Sequence, residues 1–219
     1  MTRPPHQVYR LADGTKVPGV TSILSTIAKP ALPVWANRLG FNRVNSSERL
    51  DFLAGAGSLA HSLIAQRLGG PGADFSGYSQ DQVSMAERAL SGFHAWAEGK
   101  ILLAHETELS LVSETHGYGG TLDALLAVDG RPLLVDFKTS SRIFDDHLFQ
   151  LAAYHHLLIE NGYTVDGAMV LRLSRDVAGE YSERVLSAPE IEPYFAVFKA
   201  ALNLHNAIKL TAKRGARRW

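Results

Sequence analysis

The chain has 219 residues, 46% of them hydrophobic, and its 22 basic side chains balance its 22 acidic ones. This composition excludes a disordered chain, and the lack of cysteine excludes disulfides, thiolate zinc sites and cysteine-held iron–sulfur clusters. A net charge of zero is not typical of a protein that coats nucleic acid, although the last stretch, KLTAKRGARRW, carries five basic residues and no acid.

The N-terminal half is predicted to be mainly helical. A short hairpin in VYRLADGTKVPGV turns at Asp13-Gly14 and is followed by short helices in VTSILSTIA and PVWANRLGFN. Two longer helices are predicted at about 47–68 and in DQVSMAERALSGFHAWAEG, where apolar residues recur at helical spacing.

The C-terminal half is predicted to contain a sheet. ILLAHETELSLVS, GYGGTLDALLAVDG and RPLLVDFKT form three strands, with a turn at Asp129-Gly130, and the third is apolar enough to be central. The helix HLFQLAAYHHLLIENG, the strands GAMVLRLSR and GEYSERVLS, and a helix from about Pro189 follow. The fold class is therefore α/β, a small mixed sheet flanked by helices with a helical N-terminal cap.

We expect one domain over residues 1–219. Residues 1–99 form the helical cap, 100–187 the core, and 188–219 a C-terminal helix with the basic tail. No apolar run is long enough to span a bilayer, and the N-terminus lacks the apolar region of a signal peptide. We therefore expect a cytoplasmic protein of a bacterial or phage-infected host cell, without a membrane partner.

Two acids and a lysine end the predicted central strands. Asp136 and Lys138 lie two positions apart and so project from one face, and Asp123 on the neighbouring strand can approach Asp136. Two carboxylates in contact repel each other unless a cation intervenes, and hard oxygen ligands suit Mg²⁺ or Mn²⁺. The alternative is a pair of strand-end acids with Lys138 as a salt-bridge partner. An unpaired charge at the end of a buried strand is costly, which favours a functional site.

The motifs GGTLD, DFKT and QLAAY, with GSLAH upstream, resemble the PD-(D/E)xK nuclease superfamily and, within it, the RecB-type nuclease domains. The opening VPGVTSILSTIAKPALPVWA looks like the N-terminal segment of phage-type and mitochondrial genome maintenance exonucleases. The matching motifs run from about residue 18 to residue 154. The resemblance implies a restriction-endonuclease-like core and no iron–sulfur cluster, since the chain has no cysteine.

The resemblance also implies roles for particular residues. The implied ligands of one or two Mg²⁺ or Mn²⁺ ions are the side chains of His61, Asp123 and Asp136 and the backbone carbonyl of Phe137. Asp123, Asp136 and Lys138 would be catalytic, with Lys138 activating or orienting the attacking water. Glu108 matches an acid that often stands beside the ligands without binding the metal.

Other residues are predicted to contact nucleic acid. Gln150 and Tyr154, one helical turn apart, would fix the strand and support Lys138. Tyr118 and Trp35 could stack on bases. Core packing is the alternative for Trp35, and Tyr118, between glycines just before the site, is the better candidate. Thr139 and Ser140 could donate hydrogen bonds to phosphate oxygens or could cap the next helix.

His61 lies on a helical stripe predicted to face inward. The stripe comprises Leu50, Ala54, Gly57, His61, Ile64, Ala65 and Leu68. A lone inward histidine is more often a core residue than a ligand. Gly57 and Ser58 make the helix thin just before His61, which would let it approach the acids and favours the ligand interpretation.

These observations predict a divalent-metal-dependent DNA nuclease, an exonuclease that acts on DNA ends or single strands in phage or bacterial recombination, repair or replication. Its partners would be single-stranded DNA or duplex ends and a recombination or replication protein. Three alternatives stay open: a structure- or site-selective endonuclease of the same fold, a non-catalytic DNA-binding module, and a small-molecule metalloenzyme or interaction protein with an acidic pocket.

Overall fold

A five-stranded mixed sheet forms the centre of the protein in a computed structural model that describes residues 7–215 and the side chains of residues 7–212. The sheet strands are β3 (Leu102–Ser113), β4 (Tyr118–Val128), β5 (Arg131–Lys138), β6 (Gly167–Leu173) and β7 (Tyr181–Ser187). They lie in the order β3-β4-β5-β6-β7. A separate hairpin comprises β1 (Tyr9–Arg10) and β2 (Lys16–Val17).

Six helices accompany the strands in the described residues. They are α1 (Val20–Leu24), α2 (Ala31–Phe41), α3 (Ser46–Arg67), α4 (Gln80–Ala97), α5 (Asp145–Glu160) and α6 (Ala188–Gly215). None of the helices in the described part of the chain is long and apolar enough to cross a bilayer. The basic tail continues α6, and its residues 216–219 lie outside the described range.

The sheet is antiparallel except at its centre. β3, β4 and β5 form a meander, and Asp129 and Gly130 join β4 to β5 with positive φ angles of 50° and 82°. Two consecutive positive φ angles are the geometry of a type I′ turn, which Asp-Gly favours. β5 and β6 run parallel because α5 connects them as a crossover.

Both faces of the sheet are covered by helices. One hydrophobic cluster joins the sheet to α1, α5 and α6 through residues such as Ile23, Leu151 and Phe198. The other joins the opposite face to α3 and α4 through residues such as Leu59 and Phe93. A strand buried on both faces has a continuous apolar run, which explains the sequence of β5. The structure confirms the predicted fold class and the central position of this strand.

The prediction of which α3 residues are buried was wrong for the N-terminal half of the helix. Leu50 is 46% exposed and Ala54 is also exposed. The buried residues of α3 are Ala56, Leu59, Ala60, Leu63, Ile64 and Ala65. The first turns of α3 contact α4 instead of the sheet, since Gln82 Nε2 donates a hydrogen bond to the Phe52 carbonyl at 2.9 Å.

His155 on α5 is a buried histidine outside the motif residues. It is 4% exposed, and neither ring nitrogen has a hydrogen-bond partner among the described residues. Burial, followed by the charge of His156, lowers the pKa of His155 to about 4. In an unfolded chain the pKa of histidine is about 6.5. The unfolded state therefore binds more protons between these two values, and acid favours unfolding.

We expect the free energy of unfolding to fall by about 2 kcal/mol between pH 7.5 and pH 5 on account of His155. This stability is complete above about pH 6.5 and is lost as the pH falls towards 4. Urea denaturation of the wild type and of His155→Leu at both pH values measures the effect. The variant should show a smaller pH dependence, whereas a control His105→Gln, on an exposed position of β3, should retain it. Equal pH dependence in His155→Leu and the wild type would contradict the expectation.

Candidate active site

β4 and β5 separate at Asp123, and this separation positions its carboxylate. The antiparallel pairing of the two strands ends at Ala124 and Val135. Leu122 and Ala124 pack in hydrophobic clusters on opposite faces, so the regular alternation of side chains breaks at Asp123. Asp123 Oδ2 accepts a hydrogen bond from the Phe137 N–H at 2.8 Å. A side-chain oxygen therefore binds the β5 backbone at the point where the strand pairing has ended.

α3 brings His61 to the same carboxylate. His61 Nδ1 lies 3.2 Å from Asp123 Oδ1, and its ring packs edge-on against Phe137 at 6.1 Å between centroids. The close approach depends on Gly57, one turn earlier, since a Cβ there would lie 3.0 Å from Thr139 Oγ1. The expectation that a glycine lets the helix approach the end of β5 agrees with this contact.

Asp136 and Lys138 form a second charged pair at the end of β5. Lys138 Nζ lies 2.6 Å from Asp136 Oδ2, and the two side chains are 16% and 1% exposed. Apart from this ammonium group, neither oxygen of Asp136 has a hydrogen-bond partner among the described residues. Asp136 is thus a buried carboxylate with unsatisfied acceptors, which is unfavourable without a further cation or donor.

The charges of the two pairs act on one another. Burial raises the pKa of Asp136 to about 6, reinforced by the charge of Asp123 and opposed by that of Lys138. Burial also acts to raise the pKa of Asp123, but His61 outweighs it and holds this pKa below its usual range. Two acids that influence each other's protonation belong to one electrostatic site.

The two cations are stabilised in turn by the acids. Burial acts to lower the pKa of Lys138, but the charges of Asp136 and Asp123 outweigh it and raise this pKa. Burial likewise acts against the charged form of His61, and Asp123 reverses the effect, so that the pKa of His61 is raised. Without a bound cation, Asp136 is therefore paired with the Lys138 ammonium group, and Asp123 with the His61 imidazole, whose protonation it favours.

The donor set is suitable for a divalent cation, but its members are paired with one another. Carboxylate oxygens and an imidazole nitrogen are accepted ligands of Mg²⁺ and Mn²⁺, and the unsatisfied oxygens of Asp136 point to a missing partner. In residues 7–212, however, no group of three or more His, Asp or Glu side chains is arranged to hold a metal ion. The contacts between His61 and Asp123 and between Lys138 and Asp136 involve the atoms that such an ion would require.

Gln150 and Tyr154 lie next to this cluster on α5. Gln150 Nε2 donates a hydrogen bond to the Tyr154 hydroxyl at 2.9 Å. Burial and then the charge of Asp136 raise the pKa of Tyr154 well above its usual value, so the hydroxyl stays protonated. Gly120 makes room for this ring, since a Cβ there would lie 2.5 Å from Tyr154 Cε1.

Glu108 lies across from Asp123 on β3. The flanking residues Thr107 and Leu109 pair with Ala124 and Leu122, and Glu108 itself has a positive φ of 52°. Such a backbone conformation is strained for a residue other than glycine. Partial burial and then the charge of Asp123 raise the pKa of its carboxyl group. The acid therefore stands beside the site, where the sequence resemblance implied it.

The predicted stacking role of Tyr118 was wrong. Tyr118 is fully buried, its hydroxyl donates a hydrogen bond to the Ala153 carbonyl at 2.9 Å, and its ring packs against Phe198 at 4.8 Å. An aromatic side chain that fills the core in this way cannot reach a nucleic-acid base.

Thr139 and Ser140 lie between β5 and α5, and neither caps that helix, which begins after Phe144. Thr139 faces Gly57, and Ser140 Oγ donates a hydrogen bond to the Arg142 carbonyl at 2.7 Å. Their donation of hydrogen bonds to phosphate stays a prediction, as does the metal-binding role of the Phe137 carbonyl.

The sequence interpretation missed several charged neighbours of Lys138. Arg172 pairs with Lys138 in the β5–β6 register and is only 9% exposed. His147 is held near a pKa of about 4 by burial and by the charge of Lys138, and Asp146 lies 2.6 Å from Lys29. A lone arginine in the apolar strand GAMVLRL was a usable signal, whereas nothing in the sequence placed His147 or Asp146 near the site.

No protein-family profile and no curated protein sequence matches the chain. Solved structures with a similar fold include an alkaline exonuclease of Laribacter hongkongensis in complex with dAMP, at 15% identity and a TM-score of 0.44 over 92% of this chain and 94% of the other. An exonuclease candidate from Eubacterium rectale is 9% identical, with a TM-score of 0.41 over 67% and 60% of the two chains.

At these identities the similarity concerns the fold alone.

The contact between His61 and Asp123 predicts a reversal of the His61 pKa shift in Asp123→Asn. Loss of the negative charge leaves burial and the charge of Lys138, which lower the pKa of His61, opposed only by the weaker influence of Asp136. We expect this pKa to move from above to below about 6.5. NMR titration of the histidine ring signals in EDTA measures it, with the exposed His105 as an internal control. A His61 pKa that is unchanged in the variant would show that Asp123 is not its partner.

Proposed function

We propose that the protein is a divalent-metal-dependent nuclease that hydrolyses phosphodiester bonds in DNA. We further propose that it is an exonuclease acting on DNA ends or single strands in phage or bacterial recombination, repair or replication. The observation that carries the proposal is Asp136, a buried carboxylate with unsatisfied oxygens beside Lys138 and in charge contact with the Asp123–His61 pair.

Phosphodiester hydrolysis requires a nucleophilic water and stabilisation of negative charge on the transferring phosphoryl group. A bound Mg²⁺ or Mn²⁺ ion would supply Lewis acidity and a lowered pKa for its bound water. Asp123, Asp136, His61 and the Phe137 carbonyl would hold one or two such ions. The raised pKa of Asp136 indicates that its carboxylate is the less well satisfied of the two and would gain more from a second cation.

Lys138 would contribute a positive charge at the reacting phosphate. Its raised pKa keeps the ammonium group protonated at neutral pH. Lys138 would therefore stabilise negative charge on the phosphate and would not take a proton from the attacking water. If a bound cation took the place of Lys138 beside Asp136, the ammonium group would be free to contact a phosphate oxygen. The Gln150–Tyr154 pair would then position the strand or the lysine through the protonated hydroxyl.

A second candidate function has one observation in its favour. In the described residues no three ligands are arranged to hold a metal ion. A non-catalytic DNA-binding module would have no need of such an arrangement. Site- or structure-selective endonuclease activity is a further outcome that the same active-site chemistry allows.

Digestion of end-labelled linear DNA, single- and double-stranded, tests the proposal in Mg²⁺ or Mn²⁺ with a closed circle alongside. We expect the linear DNA to be degraded and the circle to stay intact, and EDTA to stop the reaction. Lys138→Ala should lose at least about 100-fold in rate because a charge-stabilising donor is removed.

Lys199→Ala, a substitution of an exposed lysine on α6, is the matched control and should retain the wild-type rate. Cleavage of the circle would indicate an endonuclease, and DNA binding without cleavage in any metal would support the non-catalytic module. Wild-type activity in Lys138→Ala would remove Lys138 from the mechanism.

Asp136→Ala should abolish binding of Mn²⁺, because Asp136 is a buried carboxylate whose one described partner is the Lys138 ammonium group. Calorimetric titration with Mn²⁺ in the absence of DNA measures this loss. Asp166→Ala, at a half-exposed acid near the opposite end of the sheet, should bind like the wild type. Normal Mn²⁺ affinity in Asp136→Ala would exclude Asp136 as a ligand.

A further inference from the structure

A group of arginines lies beyond the carboxyl ends of the parallel strands β5 and β6. Lys138 ends β5, and Arg172 is its partner in the register of β6. Arg175 follows three residues later in the loop towards β7. Since the two strands are parallel, both ends lie at the same edge of the sheet as Lys138.

Arg172 is fixed in place within this edge. It is 9% exposed, its Nε donates a hydrogen bond to the Ser140 carbonyl at 3.1 Å, and its Nη1 lies 2.5 Å from Glu180 Oε1. The charge of Arg172 is therefore partly balanced by Glu180, and its guanidinium group ties the segment after Lys138 to β6.

The loop that carries Arg175 is also held in place. Arg88 Nε donates a hydrogen bond to the Arg175 carbonyl at 2.7 Å. Ser174 Oγ accepts hydrogen bonds from the N–H groups of Asp176 and Val177, at 3.4 and 3.1 Å. The backbone at Arg175 thus has defined anchors that do not involve the Arg175 side chain.

Arg49 lies in the first turn of α3, about two turns before Gly57, where this helix passes Thr139 just after the end of β5. Arg49 and Arg175 are both half-buried, and neither forms an ion pair in the part of the chain that the structure describes. Burial and then the charges of Arg49 and Arg172 lower the pKa of Arg175, with Asp176 acting in the opposite direction. Like charges in one neighbourhood repel each other and are stabilised by an anion.

We propose that Arg49 and Arg175 form an arginine patch that binds the phosphates of the nucleic-acid strand outside the scissile bond. The two groups come from a helix and a loop, and Arg172 lies beside them as part of the fold, with its guanidinium group bound to Ser140 and Glu180. Such a surface suits successive phosphates of a strand, and guanidinium groups bind phosphate with two parallel hydrogen bonds. This inference rests on the proposed function, since it assigns the substrate strand to the same sheet edge.

The salt dependence of DNA binding tests the patch. Fluorescence anisotropy of a labelled single-stranded oligonucleotide is measured in EDTA, which prevents cleavage, over about 50 to 200 mM NaCl. The double variant Arg49→Gln/Arg175→Gln should bind more weakly than the wild type. Its slope of log K against log salt should be smaller by about 1.4, or about 0.7 for each phosphate contact that is lost.

Arg131→Gln is the matched control. Arg131 begins β5 at the opposite end of the strand from Lys138, is 65% exposed and lies 3.9 Å from Asp166. The Arg131→Gln variant should keep the wild-type slope of log K against log salt. Arg172 is left unchanged because its burial and its contact with Ser140 make it part of the fold. Circular dichroism and thermal unfolding of each variant show whether the fold is retained.

A folded double variant with the wild-type slope overturns the patch, and so does a wild type that binds no oligonucleotide at low salt. The nuclease assignment is judged separately, by hydrolysis of bis(p-nitrophenyl) phosphate in Mn²⁺, which needs no polynucleotide. Hydrolysis of this compound with an unchanged slope means that only the patch is wrong. A reduced slope in the double variant, with no hydrolysis by the wild type, means that the patch binds DNA but the nuclease assignment is wrong.

Discussion

The carboxylate of Asp123 joins three parts of the protein that are distant in sequence. One oxygen accepts a hydrogen bond from the Phe137 N–H of β5, and the other lies 3.2 Å from Nδ1 of His61 on α3. Because the pKa of Asp123 is held below its usual range, this partly buried group stays charged and is stabilised by both partners. The contact fixes how α3 crosses the sheet and where β4 leaves β5. The rest of the charged cluster depends on that arrangement.

The cluster also explains why a buried apolar strand ends in an acid and a base. A central strand that is covered on both faces has little freedom, so Asp136 and Lys138 are held within close limits. Each acid has a partner in the protein, the imidazole of His61 for Asp123 and the ammonium group of Lys138 for Asp136. The balance is incomplete at Asp136, where the raised pKa and the unsatisfied oxygens mark the position at which another cation would be most stabilising.

α3 links the proposed reaction site to the proposed binding surface. Its first turn carries Arg49, Gly57 allows it to contact Thr139 after β5, and His61 reaches Asp123 one turn later. A single rigid helix therefore sets the distance between the arginine patch and the acids. This geometry would hold a strand in a fixed register relative to the reacting phosphate, which is a requirement for efficient phosphoryl transfer.

Local sequence determined the elements and the relation between neighbouring residues. Strand alternation placed Asp136 and Lys138 on one face, Asp129-Gly130 specified the turn, and the apolar run of β5 indicated a central strand, because these features depend on short-range backbone geometry. Tertiary packing decided the rest. Tyr118 fills the core, Leu50 on α3 is exposed, and Arg172 binds the Ser140 carbonyl, because each of these outcomes depends on which surfaces of distant segments come into contact.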